Sequence, residues 1–281
     1  MFVGHEAFVK EFIKMADSRE LAHGYLFHGA QGIGKFTFVN SLANYLENKD
    51  FSAEATRPLA DCMVLAPENG QSLGIDAVRG VRRFLSSKPT ASPYLTVIID
   101  CAETLTTEAE NALLKVAEEP TEFALIVFIA TDPEDLLPTL RSRLRPVYFD
   151  TVSKENIEKI LIERGVNKKE AASVAVKAMG RPGLAVKMAL DDSFKSILGE
   201  AQKFLGASRA DKKSIIKSLT DDENFNFDQF LEALMIQICP SIKNKTGIWH
   251  LIASTRRESQ RFALNPKLQL TALAQALESS T

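Results

Sequence analysis

The sequence predicts an α/β core, a parallel sheet flanked by helices over residues 1–151, followed by helices alone to residue 281. Three observations carry that prediction. Five short apolar runs, at residues 25–27, 62–66, 94–100, 125–130 and 147–149, alternate with stretches of helical apolar spacing. Near-continuous apolar strands between helices mark a doubly wound sheet covered on both faces. A glycine loop, Gly29-Ala30-Gln31-Gly32-Ile33-Gly34-Lys35-Phe36-Thr37, stands between the first run and the helix after it. From Ser153 onward only the helical period remains.

Taken in order, residues 7–15 form a helix with Phe8, Phe12 and Ile13 on one face. Tyr25-Leu26-Phe27 is the first strand, and residues 38–46 carry the helical spacing after the loop. Residues 48–57 are polar and read as a loop. A short strand at 62–66 ends at Pro67, and a helix at 75–86 places Ile75, Val78, Val81, Arg82 and Leu85 together. The β-branched strand at 94–100 presents Asp100 at its C-terminal end, where open α/β sheets bind ligands. Thr107 with Glu110 has the pattern of a capping box, opening a helix that Pro120 stops. A strand at 125–130 runs into Thr131-Asp132-Pro133, a short helix is expected at 136–144, and the last strand lies at 147–149. Helices follow near 153–164, 168–179 and 184–190, with Gly180-Arg181-Pro182-Gly183 as a turn. Four or five more follow, near 194–205, 212–219, 227–238, 247–255 and 266–277, with Asp221-Asp222-Glu223-Asn224 as a polar connector. The division expected is a core at 1–151, a three-helix lid at 152–192 and a helical domain at 193–281.

Composition narrows the classes. With 45% hydrophobic and 25% charged residues, the chain has material for two or three cores. A net charge of −2 gives no bulk sign of nucleic-acid binding. Cys62, Cys101 and Cys239 lie too far apart for a disulfide framework or a zinc pair, and His5, His23, His28 and His250 have no ligand spacing. No metal site is expected. The N-terminal residues lack a charged segment followed by an apolar one, and no run reaches membrane-spanning length. The expectation is a cytoplasmic protein without membrane contact. Trp249 with Phe225, Phe227 and Phe230 reads as helix-packing core, and Lys243, Lys245, Arg256 and Arg257 as solvated surface.

The glycine loop carries the chemistry. Strand, glycine loop, helix is the context of a phosphate-binding P-loop. Gly29, Gly32 and Gly34 let backbone N–H groups turn inward. The helix N-terminus contributes partial positive charge, and Lys35 a full one. The motif wants a hydroxyl after the lysine to hold Mg²⁺, but that residue is Phe36. Thr37 sits about 100° further round the helix and does not stand in for it. With a P-loop upstream, Asp100 occupies the Walker B position, whose carboxylate helps hold Mg²⁺.

These pieces together are similar to the AAA+ clamp-loader subunits of bacterial DNA polymerase III, and among them to the delta prime family. The resemblance spans residues 2–190 by motif and the remainder by domain plan. It rests on Gly4-His5, on Leu21-Ala22-His23-Gly24-Tyr25-Leu26-Phe27, and above all on Asn111-Ala112-Leu113-Leu114-Lys115 with Glu118-Glu119-Pro120. Thr131 in Ala130-Thr131-Asp132-Pro133 falls at the family's sensor 1. Leu136-Leu137-Pro138-Thr139-Leu140-Arg141-Ser142-Arg143 matches the segment ending in its Ser-Arg-Cys motif, with Leu144 in place of Cys. By resemblance Arg143 is an arginine finger, acting in trans on a neighbouring subunit's ATP; with Arg141 and Arg145 beside it, the residues alone also allow a surface salt bridge in a solvated basic turn. Gly29, Gly32, Gly34, Lys35, Thr37, Asp100 and Thr131 outline a vestigial nucleotide site.

The departures fall on hydrolysis. The Glu expected after the Walker B Asp is Cys101, a weak acceptor, and Glu103, two residues on, is expected to point elsewhere. The sensor 2 arginine falls near Gly183 or Leu184, neither basic, and the cysteine cluster that binds zinc in many members is absent. The resemblance therefore implies a non-hydrolysing subunit that requires no cofactor and binds ATP or ADP weakly at most. It implies gamma/tau-like ATPase subunits and a delta subunit as partners, with the sliding clamp and primed DNA reached through the complex. Two alternatives stay open: an active ATPase, and an AAA+ adaptor in DNA repair or recombination.

Overall fold

The structure is a computed structural model and describes residues 4–52, 58–67, 72–222, 225–238, 246–261 and 265–279. The expectations for Cys239, Lys243, Lys245, Glu223 and Asn224 fall outside them. Contacts divide the chain into two units, Met1–Ile160 with Gly180–Gly183, and Leu161–Met179 with Leu184–Thr281.

In the first unit, β1 (Gly24–His28), β2 (Cys62–Leu65), β3 (Leu95–Ile99), β4 (Ala124–Ala130) and β5 (Arg145–Tyr148) form one sheet in the order β2-β3-β4-β1-β5. Every pairing is parallel, with Tyr25 opposite Val127 and Leu95 opposite Ala124. β3 and β4 are buried along their whole length, as their apolar runs require. Alternate residues serve opposite faces. Leu26, Val97, Ile99, Ile126 and Phe128 pack in one core with α3 (Ile75–Leu85), α4 (Thr107–Glu118) and α5 (Pro138–Arg141). Phe27, Ile98, Leu125 and Val127 pack in the other, with α1 (Glu6–Ser18) and α2 (Lys35–Asn48). Aromatic rings fill this second core, Phe27 lying 5.7 Å from Phe38 and 5.1 Å from Phe149. Such pairs contribute about 0.5–1.5 kcal/mol each beyond area burial.

Around α4 and α5 the local expectations change. The helix expected at 136–144 is only α5, because Leu137 before Pro138 is extended (ψ 134°) and Ser142 ends the turn. The side chain that caps α4 is that of Thr106, accepting from the Ala109 N–H at 3.3 Å, rather than Thr107. Glu110 turns inward instead of completing a box. It is buried and accepts from the Leu137 N–H at 2.7 Å, tying α4 to the segment that leads to Arg143.

The remaining helices are α6 (Lys154–Glu163), α7 (Lys168–Lys177), α8 (Pro182–Leu190), α9 (Asp192–Gly206), α10 (Arg209–Thr220), α11 (Phe227–Ile238), α12 (Thr246–Arg261) and α13 (Pro266–Ser279). α8 begins at Pro182, inside the stretch expected as a turn; proline suits a first helical turn because its missing N–H is not needed there. Phe204, Phe230, Leu231, Leu234, Leu270 and Leu273 centre the C-terminal core, with Trp249 packed against it. Arg256 is not solvated surface. Its side chain is only 13% exposed, bidentate to Asp228 at 2.9 Å and 3.3 Å from Glu232.

Candidate functional site

The loop after β1 has the backbone of a phosphate cradle. Gly29, Gly32 and Gly34 adopt φ of 134°, 80° and 103°, and Gly34 caps α2. A Cβ on Gly29 would stand 2.5 Å from the Phe149 carbonyl oxygen, so that position admits glycine alone. The Gly29 N–H donates to the Thr131 carbonyl at 3.3 Å, bringing the end of β4 beside the loop.

The lysine, however, is turned on its own loop. Lys35 is 6% exposed, and its ammonium donates to the carbonyls of Gly29 at 2.5 Å and Ala30 at 2.9 Å. Burial lowers its pKa, against the pull of Glu103 and Asp100. Phe36 is exposed at 38%, and Thr37 is exposed beside it. The Gly183 N–H donates to the Gly32 carbonyl at 2.8 Å, and a Cβ on Gly183 would come within 2.9 Å of that oxygen. The position expected for sensor 2 thus packs backbone against backbone, with no room for a side chain.

Asp100 follows β3, its N–H donating to the Leu65 carbonyl and its carboxylate accepting from the Cys101 N–H at 3.0 Å. Burial raises its pKa, while the Cys101 N–H and Lys35 draw it down. Cys101 adopts φ 50°, and its thiol is pushed up to about 12 by burial and by Asp100 and Glu103. Such a thiol stays protonated near neutral pH and offers no base.

The left-handed turn at Cys101 has a second consequence. It starts a 3-10 turn over Ala102–Thr104 that swings Glu103 back into the site, contrary to the expectation that Glu103 points away. Glu103 Oε1 accepts from the Thr131 hydroxyl at 3.0 Å, and buried Oε2 has no hydrogen-bond partner among the described residues. Burial raises its pKa, partly offset by its own backbone N–H, Thr131 and Lys35. Sequence reading missed this residue because no glycine or asparagine at 101 advertises the left-handed conformation.

A magnesium-bound triphosphate needs the lysine at the phosphates and a hydroxyl on the metal. Here Phe36 stands where that hydroxyl would be, and Glu103 adds a carboxylate on the lysine's side of the site. These residues do not fit that group as they stand. Among the described residues no cluster of three His, Cys, Asp or Glu side chains is placed to hold a metal, and no helix is long and apolar enough to cross a membrane.

Arg143 lies at the other edge of the sheet. A Cβ on Gly24, where β1 begins, would be 3.8 Å from the Arg143 carbonyl, whereas the P-loop leaves the end of β1. Four residue steps along β1 put about 13 Å between the two ends. The Arg143 side chain is 36% exposed. Its NH1 donates to the Thr139 carbonyl at 2.6 Å and the Ser142 hydroxyl at 3.3 Å, and its NH2 meets Glu118 at 2.6 Å. It lines a cleft of about 420 Å³ with Glu20, His23, Val116, Pro120 and Arg145. The neighbouring Arg141 pairs with Glu134 instead.

A P-loop following β1, an inner strand of the parallel sheet between β4 and β5, with helices alone after the sheet, is the architecture of an AAA+ core. A family profile described as "DNA polymerase III, delta subunit" matches residues 4–153, more than half of the chain. The chain belongs to that family of clamp-loader subunits. It is 32% identical over 171 residues to DNA polymerase III subunit gamma/tau of Mycobacterium bovis, covering 57% of this chain and 30% of that protein. It is 28% identical over 184 residues to DNA polymerase III subunit delta' of Bacillus subtilis, covering 62% of this chain and 56% of that one. The match thus spans under a third of the gamma/tau relative. A DNA polymerase III gamma subunit-related protein of Thermotoga maritima superposes with a TM-score of 0.58 at 18% identity, covering 95% of this chain and 98% of that one, which is a likeness of fold alone.

Proposed function

We propose that this chain is a clamp-loader subunit that does not hydrolyse ATP itself and supplies Arg143 to the nucleotide site of an adjoining ATPase subunit. One observation supports the reading: the Arg143 side chain is 36% exposed beside the start of β1, whereas its own P-loop leaves the other end of that strand, so it is open to an adjoining protomer rather than turned to its own loop. A guanidinium there neutralises charge on a transferring phosphoryl group. The loss of cis chemistry is supported by Phe36 where a hydroxyl would hold the metal, and by Cys101 where a carboxylate would orient the attacking water. The adjoining subunits are gamma/tau-like with a delta subunit, a separate lid at 152–192 and a helical domain at 193–281 complete the chain, and the complex acts on a sliding clamp and primed DNA in the cytoplasm. The test is calorimetry of the isolated protein with ATP, with and without Mg²⁺, beside its ATPase rate. Weak or no binding and no hydrolysis are expected.

A second reading has one observation behind it. Glu103, with a buried free oxygen beside Thr131 and Lys35, has the chemistry of a base displaced by two residues. Hydrolysis by the lone protein, abolished by Lys35→Ala and by Glu103→Gln, would establish it in place of the first.

A further inference from the structure

We infer that Glu118 is a latch on Arg143, a positioning residue that holds the guanidinium before docking and competes with the incoming phosphate for it. The inference rests on the reading of Arg143 as a finger. The contact is an ion pair of 2.6 Å between Glu118 Oε1 and Arg143 NH2, with the two side chains 46% and 36% exposed.

The position of Glu118 is unfavourable without that partner. It is the last residue of α4, where the helix dipole is negative and a carboxylate destabilises the end it sits on. Arg143 offsets that cost. The two residues come from separate elements, one ending α4 and the other following α5, so the pair is a tertiary contact rather than a helix-surface pair.

The geometry divides the guanidinium. NH1 is held by the Thr139 carbonyl and the Ser142 hydroxyl, both within the turn that carries Arg143. Among the described residues NH2 is held by Glu118 alone. Releasing Glu118 therefore frees one corner while the other keeps the plane oriented. With the latch closed, the pair has no net charge and a weak field toward a phosphate. With it open, the full positive charge faces outward. Exposed ion pairs of this kind are weak, which suits a contact that must break on docking.

Glu118→Gln keeps a hydrogen-bond acceptor and removes the charge. The assay is steady-state ATP turnover of the complete complex, assembled from this chain and its cognate subunits. The readout is the Arg143-dependent share, the difference between wild type and Arg143→Ala. The measured strength of exposed pairs translates to a rise of about 1.5- to 5-fold in that share for Glu118→Gln. In the Arg143→Ala background the same substitution changes nothing, which a merely structural role for Glu118 would not produce. A share that is unchanged or falls overturns the latch while leaving the finger intact, and so does an effect of Glu118→Gln that persists without Arg143. No difference between wild type and Arg143→Ala overturns the finger and the latch together.

Discussion

Replacing Asp61 by alanine unfastens the loop that launches β3 and, through it, Asp100. Asp61 is 3% exposed and sits before β2. Its carboxylate accepts from the backbone N–H of Thr90 at 2.8 Å, Ala91 at 2.6 Å and Ser92 at 2.9 Å, and from the Thr90 hydroxyl at 3.1 Å. An unsatisfied buried N–H costs about 1–3 kcal/mol. Thr90 and Ala91 are themselves exposed, so water recovers part of the loss and the lower end applies. Three such groups at about 1 kcal/mol each give about 3 kcal/mol. For a core of this size a urea slope of about 2 kcal/mol/M turns that into a midpoint lowered by about 1.5 M. Far-UV circular dichroism follows the transition, while Trp249, the chain's single tryptophan, reports the helical unit as an internal control. The contribution is pH-dependent. Burial would raise the Asp61 pKa, but the Ala91, Thr90 and Ser92 donors outweigh it and hold the carboxyl below its ordinary value. A depressed folded-state pKa means the stability is fully present above the unfolded value, near 3.9, and is lost as pH falls through the folded one. A midpoint moved by less than about 0.3 M, or a difference from wild type that does not shrink in acid, would refute the assignment of Asp61 as the anchor.

Other outcomes follow from the same geometry. Glu103→Gln removes a carboxylate beside Lys35 and should raise ADP affinity on the order of tenfold by calorimetry, from the repulsion of one unit charge at close range; an unchanged affinity would show that Glu103 does not guard the loop. Because burial raises the Glu103 pKa, the wild type should gain part of that affinity on acidification, at a higher pH than an ordinary glutamate would allow. Gly183→Val drives a Cβ against the Gly32 carbonyl and should speed amide exchange across residues 32–34, whereas wild-type exchange there would mean that the contact is dispensable. Arg256→Ala removes the cation bridging Asp228 and Glu232 and should lower the stability of the helical unit by about 3 kcal/mol, the low end for a broken buried pair because Asp228 is a third exposed, read as the Trp249 fluorescence midpoint in urea; a smaller loss for Arg256→Met than for Arg256→Ala would show that packing shares the role.

The sheet was legible because its strands are buried on both faces and so are written as unbroken apolar runs. Leu125-Ile126-Val127-Phe128-Ile129-Ala130 lies in β4 with every residue buried. The cradle was legible because glycine takes the positive φ angles of Gly29, Gly32 and Gly34 at little cost. What escaped were side chains whose partners come from distant segments or from an unsignalled backbone turn. Glu110 reads as a helix-capping acid until Leu137 is seen 2.7 Å away. Glu103 depends on a left-handed cysteine, and Arg256 on carboxylates one helix earlier.

ATP turnover of the assembled complex carrying Arg143→Ala bears most directly on the chain's role. The substitution removes an exposed guanidinium and should leave assembly, measured by size exclusion, as in wild type. Turnover at the adjoining site should fall on the order of 10³-fold, lowering the total by that site's share. Full wild-type turnover from a properly assembled Arg143→Ala complex would contradict the account.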